Sequence, residues 1–222
     1  MLGALPEVGS VMVLGDIVGY GPNPNEVIER LRLLQLKAVR GNHDHAVEDP
    51  SILDWFNEDA AAALRWTAGA LSASNRAFLA ALPPIGRLGR NRYVHGSPRK
   101  PYLFEYILEE LQALRILQEM GRRLCFFGHT HLPRIFSEDE GEFVPPPGRT
   151  SPWIELPASA LVNPGSVGQP RDGNPEAAFA IVDLSRPAVQ FHRVPYDVAT
   201  TQEKILDAGL PPIEAARLAY GR

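Results

Sequence analysis

Leu124–Cys125–Phe126–Phe127–Gly128–His129–Thr130–His131 is a short apolar run that stops at a glycine and then presents two histidines one residue apart. An apolar run of this length, bounded by a turn residue, reads as a buried strand. Its end carries imidazoles where a core strand would normally pass into a neutral turn. Three other places along the chain follow the same pattern. Val11–Leu14 ends at Gly15–Asp16, Lys37–Arg40 ends at Gly41–Asn42–His43–Asp44, and Arg92–Val94 ends at His95–Gly96. Glycine lets the backbone turn sharply and approach a ligand closely, and sites in layered α/β proteins form where strand ends converge.

Helices are expected between these strands. Asn23–Pro24 opens one, with Glu26 at the capping-box position and Val27, Ile28, Leu31 and Leu34 on one apolar face. Asn57 and Ser72 are caps for two more, and Pro83–Pro84 ends the second of these. A further helix is predicted from Phe104 to Met120, stopped by Gly121. After Gly128 the pattern changes. Apolar pieces near Ile135, Ile154, Ala160–Val162, Ala178–Val182 and Val189–Val194 are separated by Gly and Pro turns, as in an antiparallel meander. One or two helices follow from about Val198. The reading is α/β, or α+β, with layered sheets and residues 1–222 as a single domain.

Bulk properties narrow the function classes. The 222 residues are 45% hydrophobic and 22% charged, with a formal charge of −4, which argues against general nucleic-acid binding. The one cysteine, Cys125, excludes an internal disulfide framework and fits a reducing compartment. No segment approaches a membrane span, and Met1–Val8 lacks the features of a signal peptide, so a cytoplasmic location is expected. The polar strand ends supply a carboxylate (Asp16), an amide (Asn42) and imidazoles (His95, His129, His131). That set suits a divalent metal such as Mn, Zn, Fe or Ni.

These motifs, in this order, resemble the calcineurin-like metallophosphoesterase superfamily. The run Asn163–Pro164–Gly165–Ser166–Val167–Gly168–Gln169–Pro170–Arg171 is similar to that of its small bacterial and archaeal phosphodiesterases. The resemblance implies a four-layer sandwich of two mixed β-sheets flanked by helices. It implies a hydrolase in which metal-activated water attacks a small phosphate ester, with manganese among the candidate metals. By position, Asp16 would bridge two metals, Asn42, His95 and His129 would complete one site, and His131 would belong to the other. Asn42 and His43 would contact substrate, and His43 would be catalytic, as general acid or charge stabiliser.

Two departures stand out. The superfamily's opening Asp-x-His motif has no counterpart before Gly15, and Leu2–Leu5 reads as the end of a helix that follows the missing strand. The expectation is a chain that starts late, with natural loss of the first strand as the alternative, with one metal site in place of two, and with a homo-oligomer as one compensation for the lost strand. Gly19 and Tyr20 stand where phosphoprotein phosphatases and diadenosine tetraphosphate hydrolases carry Asp-Arg, which favours a phosphodiesterase-like member. Arg99, Lys100 and Arg171 are the substitutes considered for phosphate contact. The alternative function is a catalytically impaired scaffold or interaction protein built on the same fold.

Overall fold

A computed structural model describes residues 8–222. The expected helix end at Leu2–Leu5 lies outside the described residues. Strands β1 (Met12–Val13) and β2 (Lys37–Ala38) pair in parallel, and helix α1 (Pro24–Leu33) makes the crossover that a parallel pair requires. Three helices follow: α2 (Asn42–Glu48), α3 (Glu58–Ala70) and α4 (Ala73–Ala80). The caps read from sequence are present on α3 and α4. Asn57 Oδ1 accepts from Ala60 N–H at 2.8 Å, and Ser72 Oγ from Asn75 N–H at 3.2 Å. Asn23 does not cap α1 with its side chain; its amide instead donates to Glu26 at 3.0 Å.

Six strands form the larger sheet. They are β3 (Ile85–Leu88), β4 (Asn91–Val94), β5 (Leu124–Phe126), β6 (Pro133–Ser137), β7 (Gly141–Phe143) and β9 (Ala160–Pro164), with β8 (Ile154–Glu155) lying outside this sheet. Their order is β3-β4-β5-β9-β6-β7, parallel across β4-β5-β9 and antiparallel elsewhere. Helix α5 (Glu110–Met120) crosses between β4 and β5. Strands β10 (Ala177–Asp183) and β11 (Ala188–Val194) join β8 in a three-stranded antiparallel sheet. Helices α6 (Val198–Asp207) and α7 (Pro212–Ala216) close the chain.

Side-chain alternation on β5 explains the layering. Leu124 and Phe126 face one way, into a core shared with Val162 of neighbouring β9 and with Met12, Val189 and Phe191 from the smaller sheets. Cys125 and Phe127 face the other way, against Ile116, Leu117 and Met120 of α5. Val13 and Ala38 of the β1–β2 pair carry α1 and α4 on their outer side through Ile28 and Leu79. The result is helix, sheet, sheet, helix. The second sheet layer is in two pieces, because β1 pairs only with β2 and β10 only with β11 among the described residues.

One expectation needs correction. The helix predicted from Phe104 begins only at Glu110. Phe104 adopts left-handed backbone (φ 51°), and Ser97 N–H bonds to Glu105 C=O at 2.9 Å, so residues 97–109 fold back over the end of β4. Phe104 and Ile107 are buried by that loop, which explains their apolar character without a helix. Strand β3 has no counterpart in the sequence reading. Gly86 and Arg87 hide its strand pattern, and its pairing with β4 is what makes it a strand.

Candidate functional site

The loops after β1, β2, β4 and β5 meet at one end of the sheets. At β1, Gly15 (φ 86°) lies so close to Gly41 N and His95 Nδ1 that a Cβ there would come within 2.7 Å of each. No side chain other than hydrogen fits. Asp16, His129 and His131 all hold left-handed backbone, with φ of 51°, 65° and 62°. Such conformations cost on the order of 1–3 kcal/mol each in a non-glycine residue. They persist because surrounding bonds hold the loops.

Two buried side chains are the main struts. Asp44, fully buried, accepts from Ile17 N–H (2.8 Å), Val18 N–H (3.3 Å) and Gly41 N–H (2.9 Å). It therefore joins the Asp16 loop to the start of α2, and its role is more than a cap. Burial, reinforced by the nearby Asp16 charge, pushes its carboxyl up to about 7 against the bonds from Gly41 and Val18. Asn163, also fully buried, donates through Nδ2 to Gly128 C=O (2.8 Å) and Thr130 Oγ1 (3.0 Å). Its Oδ1 accepts from Gly165 N–H (2.9 Å). It fixes the His129–His131 loop.

Four lone-pair atoms converge in this frame. His95 Nε2 lies 3.0 Å from Asn42 Oδ1, 2.9 Å from His129 Nδ1 and 3.3 Å from Asp16 Oδ2. The other nitrogen of His95 is occupied by Leu14 C=O at 2.7 Å, which fixes the ring orientation. The coordinating atoms available on Asp16, His95 and His129 lie within 4.8 Å of one another. A metal-binding imidazole commonly has its second nitrogen tied to a carbonyl in this way. Asn42 and His43 lie in the first turn of α2; the sequence pattern had ended at these residues without extending into a helix.

The electrostatics favour a cation at that point. Burial drives the His129 imidazole down to about 2, with the neighbouring His95 adding to the effect, so His129 is neutral. Burial opposes a proton on His95, but the Asp16 carboxylate outweighs it and raises the His95 value. Burial also opposes ionisation of Asp16, yet His95 and His43 hold its carboxyl well below the usual range.

His131 stands outside the cluster. Its Nδ1 bonds to Gln169 C=O at 2.6 Å, and its ring meets the edge of Tyr20 at 5.5 Å. Burial lowers its value to about 3, with the Arg171 charge next in effect. His43 donates its backbone N–H to Asp16 Oδ1 at 3.0 Å. Its ring stacks on Tyr20 (4.1 Å between centroids) and is driven to about 4 by burial.

The structure adds two aromatic residues that sequence reasoning left out of the site. Tyr20 donates its hydroxyl to Asp16 Oδ2 at 3.3 Å, and burial holds its phenol well above the ordinary value. The only signal in the sequence was its position beyond Gly19. Tyr106 stacks face to face on His129 (3.7 Å, 14°) while remaining 46% exposed. Of the three basic residues considered, Arg99 pairs with Glu119 at 2.9 Å and Lys100 is exposed, whereas Arg171 reaches the His131 side of the site. His192 stacks on Phe179 and bonds Gln190, consistent with a structural histidine.

Fold and strand-end cluster together define a metallophosphoesterase architecture. The calcineurin-like phosphoesterase superfamily domain matches residues 2–186, and the chain belongs to that superfamily. It is 37% identical over 219 residues to an uncharacterized protein of Methanocaldococcus jannaschii, covering 97% of this chain and 88% of that one. A metallophosphoesterase crystal structure from Sphaerobacter thermophilus is similar at TM-score 0.85 and 38% identity, over 100% of this chain and 92% of that one. A hypothetical protein from Pyrococcus horikoshii is similar at TM-score 0.77 and 25% identity, over 97% and 86%. Among the described residues no helix is long and apolar enough to cross a membrane.

Proposed function

We propose that this chain is a divalent-metal-dependent phosphoesterase of phosphodiesterase-like type, hydrolysing a small phosphate ester. The observation that carries the reading is the approach of Asp16 Oδ2, Asn42 Oδ1 and His129 Nδ1 to within 3.3 Å of His95 Nε2. One carboxylate, one amide oxygen and two imidazole nitrogens are a donor set that fits Mn, Zn, Fe or Ni. A divalent ion held there would supply Lewis acidity and lower the pKa of a water for attack on phosphorus.

The chain's own residues do the rest. Leu14 C=O orients His95, Asn163 sets the His129 loop, and His43 N–H together with the Tyr20 hydroxyl orients Asp16. In this reading Asn42, 3.0 Å from His95 Nε2, would touch both an ion and a phosphoryl oxygen. His43, neutral near pH 7, stabilises charge through an N–H donor rather than acting as a proton source. His131 and Asp16 would hold a second ion only weakly, because two protein ligands fall short of an ordinary catalytic shell. Among the described residues the converging donors therefore make a single candidate ion site.

The test is hydrolysis of bis-p-nitrophenyl phosphate with and without Mn²⁺. Metal-dependent turnover, lost in His95→Ala at unchanged circular dichroism, is expected. Turnover that persists in His95→Ala would remove the cluster from the reaction.

A further inference from the structure

Arg171 closes the run that began at Asn163. Its Nε and Nη2 both donate to one acceptor, Gln169 Oε1, at 3.3 and 3.0 Å. Its backbone N–H approaches His131 C=O at 3.4 Å, and Gln169 C=O receives His131 Nδ1. The guanidinium is thus carried by a turn bonded to the loop of a candidate ligand, His131. Among the described residues it forms no ion pair, although Arg76, Arg99, Arg134, Arg149, Arg193 and Arg217 each do. A partly buried cation whose side chain is held by a neutral amide, without a carboxylate of its own, retains charge for an anionic ligand. That charge also helps to depress the His131 and His43 imidazoles, after burial, so it acts towards the centre.

The amide that holds Arg171 is itself held. Gln169 is 2% exposed, and its Nε2 donates to Glu214 Oε2 at 2.8 Å. Glu214 belongs to α7, is 3% exposed, and lies 3.9 Å from the Arg217 guanidinium. The Glu214 carboxylate can only accept. It forces Gln169 to present Nε2 to α7 and Oε1 to Arg171. Residue 214 also lies beyond the matched superfamily domain, which ends at 186. The device therefore combines the shared strand-end turn with a helix that the match does not include.

We propose that Arg171 binds a non-bridging oxygen of the substrate phosphate, and that Gln169 and Glu214 are positioning residues, so that helix α7 is part of the substrate site. A planar guanidinium offers two parallel N–H donors to a phosphoryl group, and two of its donors are already directed away by Gln169. Glu214 sets its orientation through one intervening amide. The inference rests on the phosphoesterase reading for its ligand class, and its test is independent of turnover.

Inorganic phosphate is titrated calorimetrically into the full chain, with and without Mn²⁺, alongside Arg171→Gln, Arg171→Lys, Glu214→Ala and Glu214→Gln. Wild type is expected to bind phosphate. Arg171→Gln should weaken binding about tenfold or more, the range of a charge-assisted bond, and Arg171→Lys should recover part of it. Glu214→Ala should weaken binding, whereas Glu214→Gln, which can still accept from Gln169, should restore it. In hydrolysis of the diester, the same variants should raise KM more than they lower kcat. These phosphate results without any turnover would uphold the Arg171 site while sinking the proposed enzyme. Phosphate binding equal in wild type and Arg171→Gln, or absent from wild type in both conditions, overturns the inference. So does a Glu214→Ala protein that binds as wild type does.

Discussion

Asn163→Ala tests whether the candidate centre is held by a buried amide strut. The substitution removes three hydrogen bonds at a fully buried position, those to Gly128 C=O, Thr130 Oγ1 and Gly165 N–H. Gly128 C=O keeps Thr130 N–H at 2.7 Å, so it is not orphaned, but Gly165 N–H loses its acceptor. At about 1 kcal/mol net per bond, the loss is about 3 kcal/mol. For a chain of this size each kcal/mol moves the melting midpoint by about 2–4 °C, so a fall of roughly 6–12 °C is expected by calorimetry. Asn163→Asp sharpens the test. It keeps an acceptor for Gly165 N–H but turns an oxygen towards Gly128 C=O. A carboxyl buried there has its folded value raised, because the protonated form can donate to that carbonyl. Its deficit should therefore be smallest in acid and should grow as pH rises above the unfolded carboxyl value of about 4. A midpoint shift below about 2 °C for Asn163→Ala, or an Asn163→Asp protein indifferent to pH, would refute the reasoning.

Two other outcomes follow from separate parts of the molecule. Saturating Mn²⁺, at about 100 times its dissociation constant, should stabilise the protein by about 2.7 kcal/mol and raise its melting midpoint. The rise should vanish in His95→Ala and survive in His131→Ala; the reverse pattern would show that the ion sits elsewhere. Cys125 is fully buried and burial pushes its thiol up to about 12. It should resist Ellman's reagent at pH 8 in the native protein and react once per chain after denaturation, so fast native labelling would contradict the core packing on α5.

Sequence reading located the strand ends because chemistry and backbone coincide there. A glycine beside Asp16, Asn42, His95 or His129 is visible in one dimension, and so is the apolar run before it. The layered fold was legible for the same reason, since Leu124–Phe127 alternate between two cores. Other features left little trace. α2 begins inside the motif because Asp44 accepts the Gly41 N–H, a bond indistinguishable in sequence from a simple turn. The loop over 104–109 was mistaken for helix because Phe104 and Ile107 are apolar on account of long-range burial. Tyr20, Tyr106 and Glu214 reach the site through stacking or through an intermediary, and neither has a characteristic spacing along the chain.

The parallel pairings of β5 affect the order in which this protein can be built. β5 is flanked by β4 before it and by β9 after it, with β6, β7 and β8 synthesised in between. A ribosome delivers residues in order and slowly compared with local folding. The loops bearing the converging donors at 16, 42, 95 and 129 therefore emerge well before Asn163, the residue that anchors the last of them. Until β9 inserts beside β5, the His129 loop has no strut to hold its left-handed backbone. An ion met during synthesis would encounter scattered donors and no preformed cage. Assembly of the candidate centre is thus a late event in the life of the chain, governed by the arrival of a strand that carries none of the four converging donors.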